Sequence, residues 1–169
     1  MIKLNIGCGS DYRNGFINID GSSKVKTDKI IDLNNDSLMN HFVPETIDYI
    51  LANDIVEHFF HWEAINLLTS FFNILKKGGT CEIRVPDAEF IIESLELPIE
   101  GKLNLLFGGQ DIPQRVNPEM DMSRKKYPQF FCHKYGWIKN SMEKELLSIG
   151  FTSISFSNSG TDFIAISSK

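Results

Sequence analysis

The feature that most constrains the fold of this 169-residue chain is a series of short apolar runs, each followed by a polar or turn residue. Runs of this length and pattern are typical of β-strands. Parallel strands end along one edge of their sheet, where such folds bind ligands. We therefore predict five strands whose ends bring the chemically versatile residues together. The runs lie at residues 4–6, 16–19, 29–31, 47–52 and 81–85, followed by Gly7, Asp20, Asp32, Asn53 and Pro86.

A helical pattern separates the fourth and fifth runs. Apolar residues recur at helical spacing between Ile65 and Leu75, which predicts a helix with one apolar side. The glycine pair at positions 78–79 is expected to end this helix. Two further helices are predicted at about residues 87–95 and 138–149 from the same kind of pattern.

The end of the chain predicts a β-hairpin. Residues 152–156 and 163–167 have strand character, and the turn residues at 158–160 join them. Strands that alternate with helices imply a mostly parallel sheet with helices on both faces. The fold class is therefore α/β: a doubly wound, mostly parallel seven-stranded sheet with an antiparallel C-terminal hairpin, in a single domain over residues 1–169. The interval from Gly7 to Asp20 is too short for a full helix, so the first helix is abbreviated.

Composition narrows the class of function. Hydrophobic residues make up 42% and charged residues 23% of the chain, which is ordinary for a globular protein. The net charge of -5 disfavours general binding to a phosphate backbone, so nucleic acid is an unfavoured partner. No apolar run is long enough to span a membrane, and the start lacks a signal-peptide pattern. The three widely spaced cysteines form neither a disulfide framework nor a zinc motif, so we expect a cytoplasmic protein without a metal.

The residues at the strand ends suggest a nucleoside-containing ligand. Gly7 and Gly9 allow a sharp turn and a close approach of the backbone to a ligand. Asp20 could accept both hydroxyls of a ribose, and Asp32 could accept from an adenine amino group while Leu33 packs on the ring. Each feature alone also fits an ordinary turn. Their order along the chain is more specific than any single feature.

Two kinds of cofactor fit such a site. A dinucleotide fingerprint requires a third glycine, and Tyr12 stands at that position. Asp11 would repel a pyrophosphate there, whereas it would tolerate a ligand with a sulfonium and an amino group. This charge pattern favours S-adenosylmethionine over a nicotinamide dinucleotide.

The same segments resemble the motifs of a known family. The chain resembles class I S-adenosylmethionine-dependent methyltransferases, and in particular the small bacterial proteins of the methyltransferase 11 type. The similarity spans nearly the whole chain and is most specific in its middle motifs. The motifs lie at residues 4–9 (LNIGCG), 15–20 (GFINID), 32–33 (DL), 52–59 (ANDIVEHF), 75–79 (LKKGG) and 107–110 (FGGQ), followed by His133 and the helix before Gly150-Phe151.

The resemblance implies a Rossmann-like methyltransferase fold with S-adenosylmethionine as cofactor and S-adenosylhomocysteine as product. Asn5 departs from the family, because an acid often precedes the first glycine. The chain begins at the first strand, so residues 98–137 are the expected lid over the acceptor. The residues implied to bind the cofactor are Asn5, Gly7, Cys8, Gly9, Asp20, Gly21, Asp32, Leu33, Asn53, Asp54 and His58.

Methyl transfer from a sulfonium is an in-line displacement, so alignment and desolvation supply much of the catalysis. A base is needed only when the acceptor must lose a proton. His58 and His133 are the candidate bases, although each also fits a packing role. We expect methyl transfer to oxygen or nitrogen of a small molecule or sugar. The alternatives are a cofactor-binding domain without turnover and a nicotinamide-dependent oxidoreductase, and the sequence specifies neither acceptor nor oligomeric state.

Overall fold

One seven-stranded sheet organises the molecule, in a computed structural model that describes residues 1–110 and 125–169. The first five strands run parallel, and the sixth and seventh form the predicted antiparallel hairpin. The strands are β1 (Lys3–Ile6), β2 (Ile17–Asp20), β3 (Lys29–Ile30), β4 (Ile47–Asn53), β5 (Leu75–Pro86), β6 (Thr152–Ser159) and β7 (Asp162–Ser168).

The strand order is β3-β2-β1-β4-β5-β7-β6. β7 enters the sheet beside β5 and runs antiparallel to it, which leaves β6 at the edge. The chain builds outward from β1 to β3 and then crosses to β4 on the other side of β1. Strand order therefore reverses between β1 and β4, where α/β folds bind their ligands.

Four helices flank these strands in the described ranges. α1 packs against β5 and against α4, and α4 also packs on the hairpin. None of the helices in the described ranges is long and apolar enough to cross a bilayer. The helices are α1 (His61–Ile74), α2 (Ala88–Glu93), α3 (Ile99–Phe107) and α4 (Lys139–Ile149).

The end of α1 differs from the expectation. The helix stops at Ile74, and Leu75 is already extended and pairs with Ile47 in the sheet. The prediction that the glycine pair at 78–79 ends the helix was therefore wrong, because both glycines lie within β5. Leu75 is fully buried, so burial in the sheet outweighs the continuing helical pattern.

The predicted lid at residues 98–137 is described only in part, because positions 111–124 lie outside the described residues. Its described part contains α3, a helix that we did not predict from the sequence. Pro98 precedes this helix, and Gly108 ends it in the left-handed conformation, with φ of 79°. Proline before a helix and glycine after it are known boundary signals, so this helix was open to prediction.

A loop takes the place of the first helix, as predicted. β1 alternates between buried Leu4 and Ile6 on the core face and Asn5 on the opposite face. The amide nitrogen of Asn5 donates to the carbonyl oxygen of Asp11 at 2.7 Å. The loop between β1 and β2 is thus held against the sheet face opposite the core.

Candidate active site

The turn after β1 requires glycine at its first position. Gly7 has φ of 65° and Gly9 has φ of 49°, both in the left-handed region. A Cβ atom on Gly7 would lie 2.4 Å from Cδ1 of Ile55, whereas one on Gly9 would meet nothing within 4 Å. The turn therefore passes close to the segment after β4 at Gly7 and opens outward at Gly9.

Asp20 fixes this turn from the end of β2. Its two carboxylate oxygens accept from the backbone N–H of Gly9 and of Ser22, each at 2.8 Å. A carboxylate has about four acceptor positions, so two remain for a ligand. Asp20 therefore holds the turn and stays able to bind ribose hydroxyls, and its predicted role remains a prediction. Gly21 lies against Asp32, whose Cα is 3.5 Å from the position that a Cβ would take.

Two buried amides support the turn from below. Asn5 is 2% exposed and Asn18 is 0% exposed. The amide nitrogen of Asn5 donates to Oδ1 of Asn18 at 3.0 Å, and that oxygen also accepts from the backbone N–H of Arg13 at 2.8 Å. Asn5 therefore acts as a donor within the protein, a role that a carboxylate could not fill. No sequence pattern had singled out Asn18.

The end of β4 supplies the opposite wall. Oδ1 of Asn53 is buried and has no hydrogen-bond partner among the described residues. Asp54 follows with φ of 53°, a conformation that is uncommon outside glycine and is concentrated at functional sites. A buried acceptor without a hydrogen-bond partner among the described residues therefore lies beside a backbone conformation that is uncommon outside glycine.

Arg84 on β5 pairs with Asp54. Its guanidinium donates to both carboxylate oxygens, with Nε 3.0 Å from Oδ1, and Asp162 lies 3.8 Å away. The hydrogen bonds that Arg84 donates to Asp54 raise the pKa of Arg84, while burial raises the pKa of the Asp162 carboxyl. The register pairs Asn53 with Arg84 across the strands, so the pairing of β4 with β5 is the signal that could have found Arg84, which the sequence analysis missed.

A cleft with a volume of about 310 Å³ lies between the turn after β1 and the end of β4, and Asp20 and Gly21 are not among the residues that line it. Ligand sites have volumes of about 300–1,000 Å³, so the cleft is large enough for a small ligand. The charge of Asp11 is paired with Arg13 at 2.7 Å, which weakens the argument that Asp11 alone excludes a pyrophosphate. The lining residues are Asn5, Gly7, Cys8, Gly9, Ser10, Asp11, Asn53, Asp54 and Arg84.

Asp32 and Leu33 lie outside the lining of this cleft. Asp32 accepts from the backbone of Asn34 at 3.1 Å and from the side chain of Asn35 at 2.8 Å. Burial opposes ionisation of this carboxyl, but hydrogen bonds from the two asparagines outweigh it and lower its pKa. Leu33 lines a second cavity of about 170 Å³ that also borders Asn66 on α1.

The candidate bases lie together beside the cleft rather than in its wall. His58 ends a 3₁₀ turn (Val56–His58), and its ring lies 5.1 Å from that of His133 between centroids. Nδ1 of His58 is 3.0 Å from the carbonyl oxygen of Cys132. Burial lowers the pKa of His58. Both histidines were candidate bases from the sequence, which did not predict that they are neighbours, and the structure places their rings in contact.

Glu57 lies beside the two histidines. It is 2% exposed, and neither carboxylate oxygen has a hydrogen-bond partner among the described residues. Burial raises the pKa of this carboxyl well above its usual range. Nε2 of His133 lies 3.9 Å from Oε1 of Glu57. In the sequence, Glu57 stood out only as part of the motif at residues 52–59.

Comparison with solved structures identifies the architecture. A methyltransferase from Archaeoglobus fulgidus matches 99% of this chain and 85% of its own, with 14% identity and a TM-score of 0.63. The chain has the fold of S-adenosylmethionine-dependent methyltransferases. A methyltransferase of this kind from Mesorhizobium loti matches over 99% of this chain and 90% of its own, with 11% identity and a TM-score of 0.63.

A third neighbour is described in complex with the cofactor itself. Phosphoethanolamine N-methyltransferase 2 from Haemonchus contortus, in complex with S-adenosyl-L-methionine, matches over 94% of this chain with 16% identity and a TM-score of 0.54. The chain spans only 34% of that protein. No protein-family model and no curated protein sequence matches the chain. Identities at this level establish the fold, and the activity is argued separately below.

Proposed function

We propose that this chain transfers a methyl group from S-adenosylmethionine to oxygen or nitrogen of a small molecule or sugar. The observation that carries the proposal is the cleft of about 310 Å³ at the point where strand order reverses. Ligands of open α/β sheets bind at that point. The fold is that of methyltransferases, and the polar groups at the β4 and β5 wall of the cleft suit the methionine end of this cofactor.

The methionine end of the cofactor fits the wall formed by β4 and β5. The unpartnered Oδ1 of Asn53 would accept from the cofactor's amino group, which satisfies a buried acceptor that otherwise lowers stability. Arg84 lines the same cleft and would attract the carboxylate. When bound, the cofactor supplies an activated methyl group on a sulfonium. Asp54 also borders the cleft, where its carboxylate is paired with Arg84 and orients the guanidinium.

The adenosine end is assigned by prediction. Asp20 retains acceptor positions for the ribose hydroxyls beyond the two that hold the turn. Cys8 is buried and borders the cleft, and burial raises the pKa of its thiol, so it serves as a small packing residue. Asp32 and Leu33 would contact adenine if the base extends toward the second cavity.

The reaction depends on alignment more than on acid–base chemistry, because the methyl group is already activated. His58 and His133 stay the predicted bases for an acceptor that must lose a proton. Nδ1 of each ring is directed at a backbone carbonyl, at 3.0 Å and 2.9 Å, so Nε2 is the atom that would accept the proton. Cytoplasmic location is likewise a proposal, which the three unpaired cysteines support.

Calorimetric titration with S-adenosylhomocysteine tests the site. Asn53→Ala is expected to weaken binding at least about tenfold, since a hydrogen bond to a charged amino group is worth roughly 1.5–3 kcal/mol and tenfold corresponds to about 1.4 kcal/mol. Asn140→Ala is the matched control, because Asn140 is exposed on α4. Equal affinity for the two variants would refute the assignment of Asn53.

Turnover is tested separately with S-adenosylmethionine labelled in its methyl group. The neighbour from Haemonchus contortus is named for an amine acceptor, so small amines belong in the panel beside sugars and phenols. Transfer of label to any of them supports the enzyme. Tight binding of S-adenosylhomocysteine with no transfer across the panel favours the cofactor-binding domain without turnover, and competition by NADH favours the oxidoreductase.

A further inference from the structure

The cluster of Glu57, His58 and His133 contains an unusual buried group. Both oxygens of Glu57 are buried without a hydrogen-bond partner among the described residues. Leaving such a carboxyl unpartnered is unfavourable, and buried charges in proteins are generally paired or bound to metals. Nε2 of His133 lies 3.9 Å from Oε1 of Glu57, which is too far for a hydrogen bond. A hydrogen-bonded acid–imidazole pair therefore does not describe the cluster.

The two histidines are held in the orientation that metal ligands adopt. Nδ1 of His58 faces the carbonyl oxygen of Cys132 at 3.0 Å, and Nδ1 of His133 faces that of Leu105 at 2.9 Å. A carbonyl only accepts, so each Nδ1 donates its hydrogen and Nε2 carries the lone pair in the neutral ring. Histidines that bind metals usually donate their other nitrogen to a carbonyl or carboxylate in this way.

The backbone brings the two parts of the cluster together. Lys134 N donates to the carbonyl oxygen of Glu57 at 2.8 Å, and Tyr135 N approaches the same oxygen at 3.3 Å. One ligand atom from each of the three side chains lies within 4.8 Å of the other two. Metal bonds of about 2.0–2.2 Å would place such atoms roughly 3–3.5 Å apart. The ligands need to close by roughly 1–2 Å, a distance that side-chain rotation can cover.

We propose that Glu57, His58 and His133 bind a divalent first-row transition-metal ion, with Zn²⁺ as its simplest representative. Two imidazole nitrogens and one carboxylate oxygen suit Zn²⁺ or Fe²⁺, whereas Mg²⁺ and Ca²⁺ prefer oxygen ligands alone. Three protein ligands leave a coordination position open for water or a substrate atom. The sequence predicted no metal, because its cysteines form no zinc motif and the three ligands are split between two segments.

The site goes beyond the proposed methyl transfer, and an ion bound to Nε2 of the two histidines would exclude their use as bases at the same time. Its test uses no cofactor. The full chain is stripped with a chelator, dialysed and titrated with Zn²⁺ in competition with a chromogenic chelator. We expect one equivalent to bind tightly. Co²⁺ should give visible bands of nitrogen and oxygen ligation, without the intense charge-transfer band of a thiolate. A wild-type chain that takes up neither ion would overturn the proposal, whatever its affinity for S-adenosylhomocysteine.

Substitutions locate the ion. Glu57→Gln keeps the shape of the side chain and removes the buried acid, so the apo variant should fold, and its affinity for Zn²⁺ should fall at least about 100-fold. His58→Gln and His133→Gln should act in the same direction. His41→Gln and His61→Gln are the matched controls, because they remove the other two histidines.

Thermal melting separates loss of the ion from loss of the fold. Zn²⁺ should raise the melting temperature of the wild type and of both controls but leave that of Glu57→Gln unchanged, since only a bound ion stabilises the folded state. Equal Zn²⁺ affinity in Glu57→Gln and the wild type would contradict the site, as would loss of binding in His61→Gln with Glu57→Gln unaffected.

Discussion

At the scale of single residues, Asn5 shows why an amide stands where an acid often precedes the glycine turn. Its nitrogen donates to the carbonyl oxygen of Asp11 and to Oδ1 of Asn18. Both acceptors need a donor, and a carboxylate offers none. The abbreviated connection between β1 and β2 thus depends on a donor at position 5, because no helix is present there to satisfy its own backbone.

Asn5→Asp should therefore destabilise the fold despite its near-identical shape. It removes two donor contacts inside a buried network and places acceptors face to face, which costs about 1–3 kcal/mol. Urea unfolding measures the change. Asn140→Asp on exposed α4 is the control and should shift stability by less than about 0.5 kcal/mol. An Asn5→Asp variant as stable as the wild type would show that the network does not depend on donation.

Asp36 gives a prediction about pH. Bonds from the side chains of Asn40 and His41 and from the backbone of Ser37 lower its pKa to about 2. Because the folded pKa lies below the usual value, the carboxylate stabilises the fold above about pH 4, and this contribution is lost as pH falls through 2. The stability difference between wild type and Asp36→Asn should thus shrink between about pH 5 and about pH 2.5. A difference that stays constant in urea titrations across that range would contradict it.

At the scale of elements, the turn after β1 is set by its closeness to the segment after β4. Gly7 and Gly9 both have positive φ, but only Gly7 faces Ile55. Substitutions at the two glycines therefore allow the cost of backbone strain, present at both, to be measured apart from the cost of steric overlap, present only at Gly7.

Gly9→Ala should cost roughly 1–2 kcal/mol, the penalty for placing a Cβ in the left-handed region. Gly7→Ala should cost at least about 1 kcal/mol more, because the new atom also overlaps Ile55. Thermal or urea unfolding measures both. Gly7→Ala combined with Ile55→Ala should fall back toward Gly9→Ala, after allowance for the loss in Ile55→Ala alone. Equal penalties for the two single variants would contradict the contact.

Some elements of the structure could be predicted from the sequence and others could not. Strand ends and the C-terminal hairpin were predictable, because alternation and turn residues are local signals. The end of α1 was not, since Leu75 leaves the helix to bury itself beside Ile47. Arg84 and Glu57 were missed as site residues for a similar reason. Their roles depend on the pairing of β4 with β5 and on the approach of the segment around His133, which no local pattern encodes.

At the scale of the whole molecule, one short segment contributes residues both to the cleft and to the proposed metal site. Residues 53–58 leave β4 at the reversal of strand order, with Asn53 and Asp54 lining the cleft and Glu57 and His58 facing His133. Burial raises the pKa of Glu57, and the nearby charges of Asp54 and Arg84 raise and lower it, respectively. An ion at the proposed metal site would therefore lie beside the proposed cofactor, and each site can be disrupted without substituting a residue of the other.

The central claim is that the cleft between β1 and β4 binds S-adenosylmethionine, and a crystal structure with S-adenosylhomocysteine tests it most directly. We predict density in this cleft, with the amino group of the ligand at Oδ1 of Asn53 and its ribose near Asp20. The same crystals soaked with NADH should show no ligand there. Density for S-adenosylhomocysteine elsewhere, or NADH in the cleft in its place, would contradict the account.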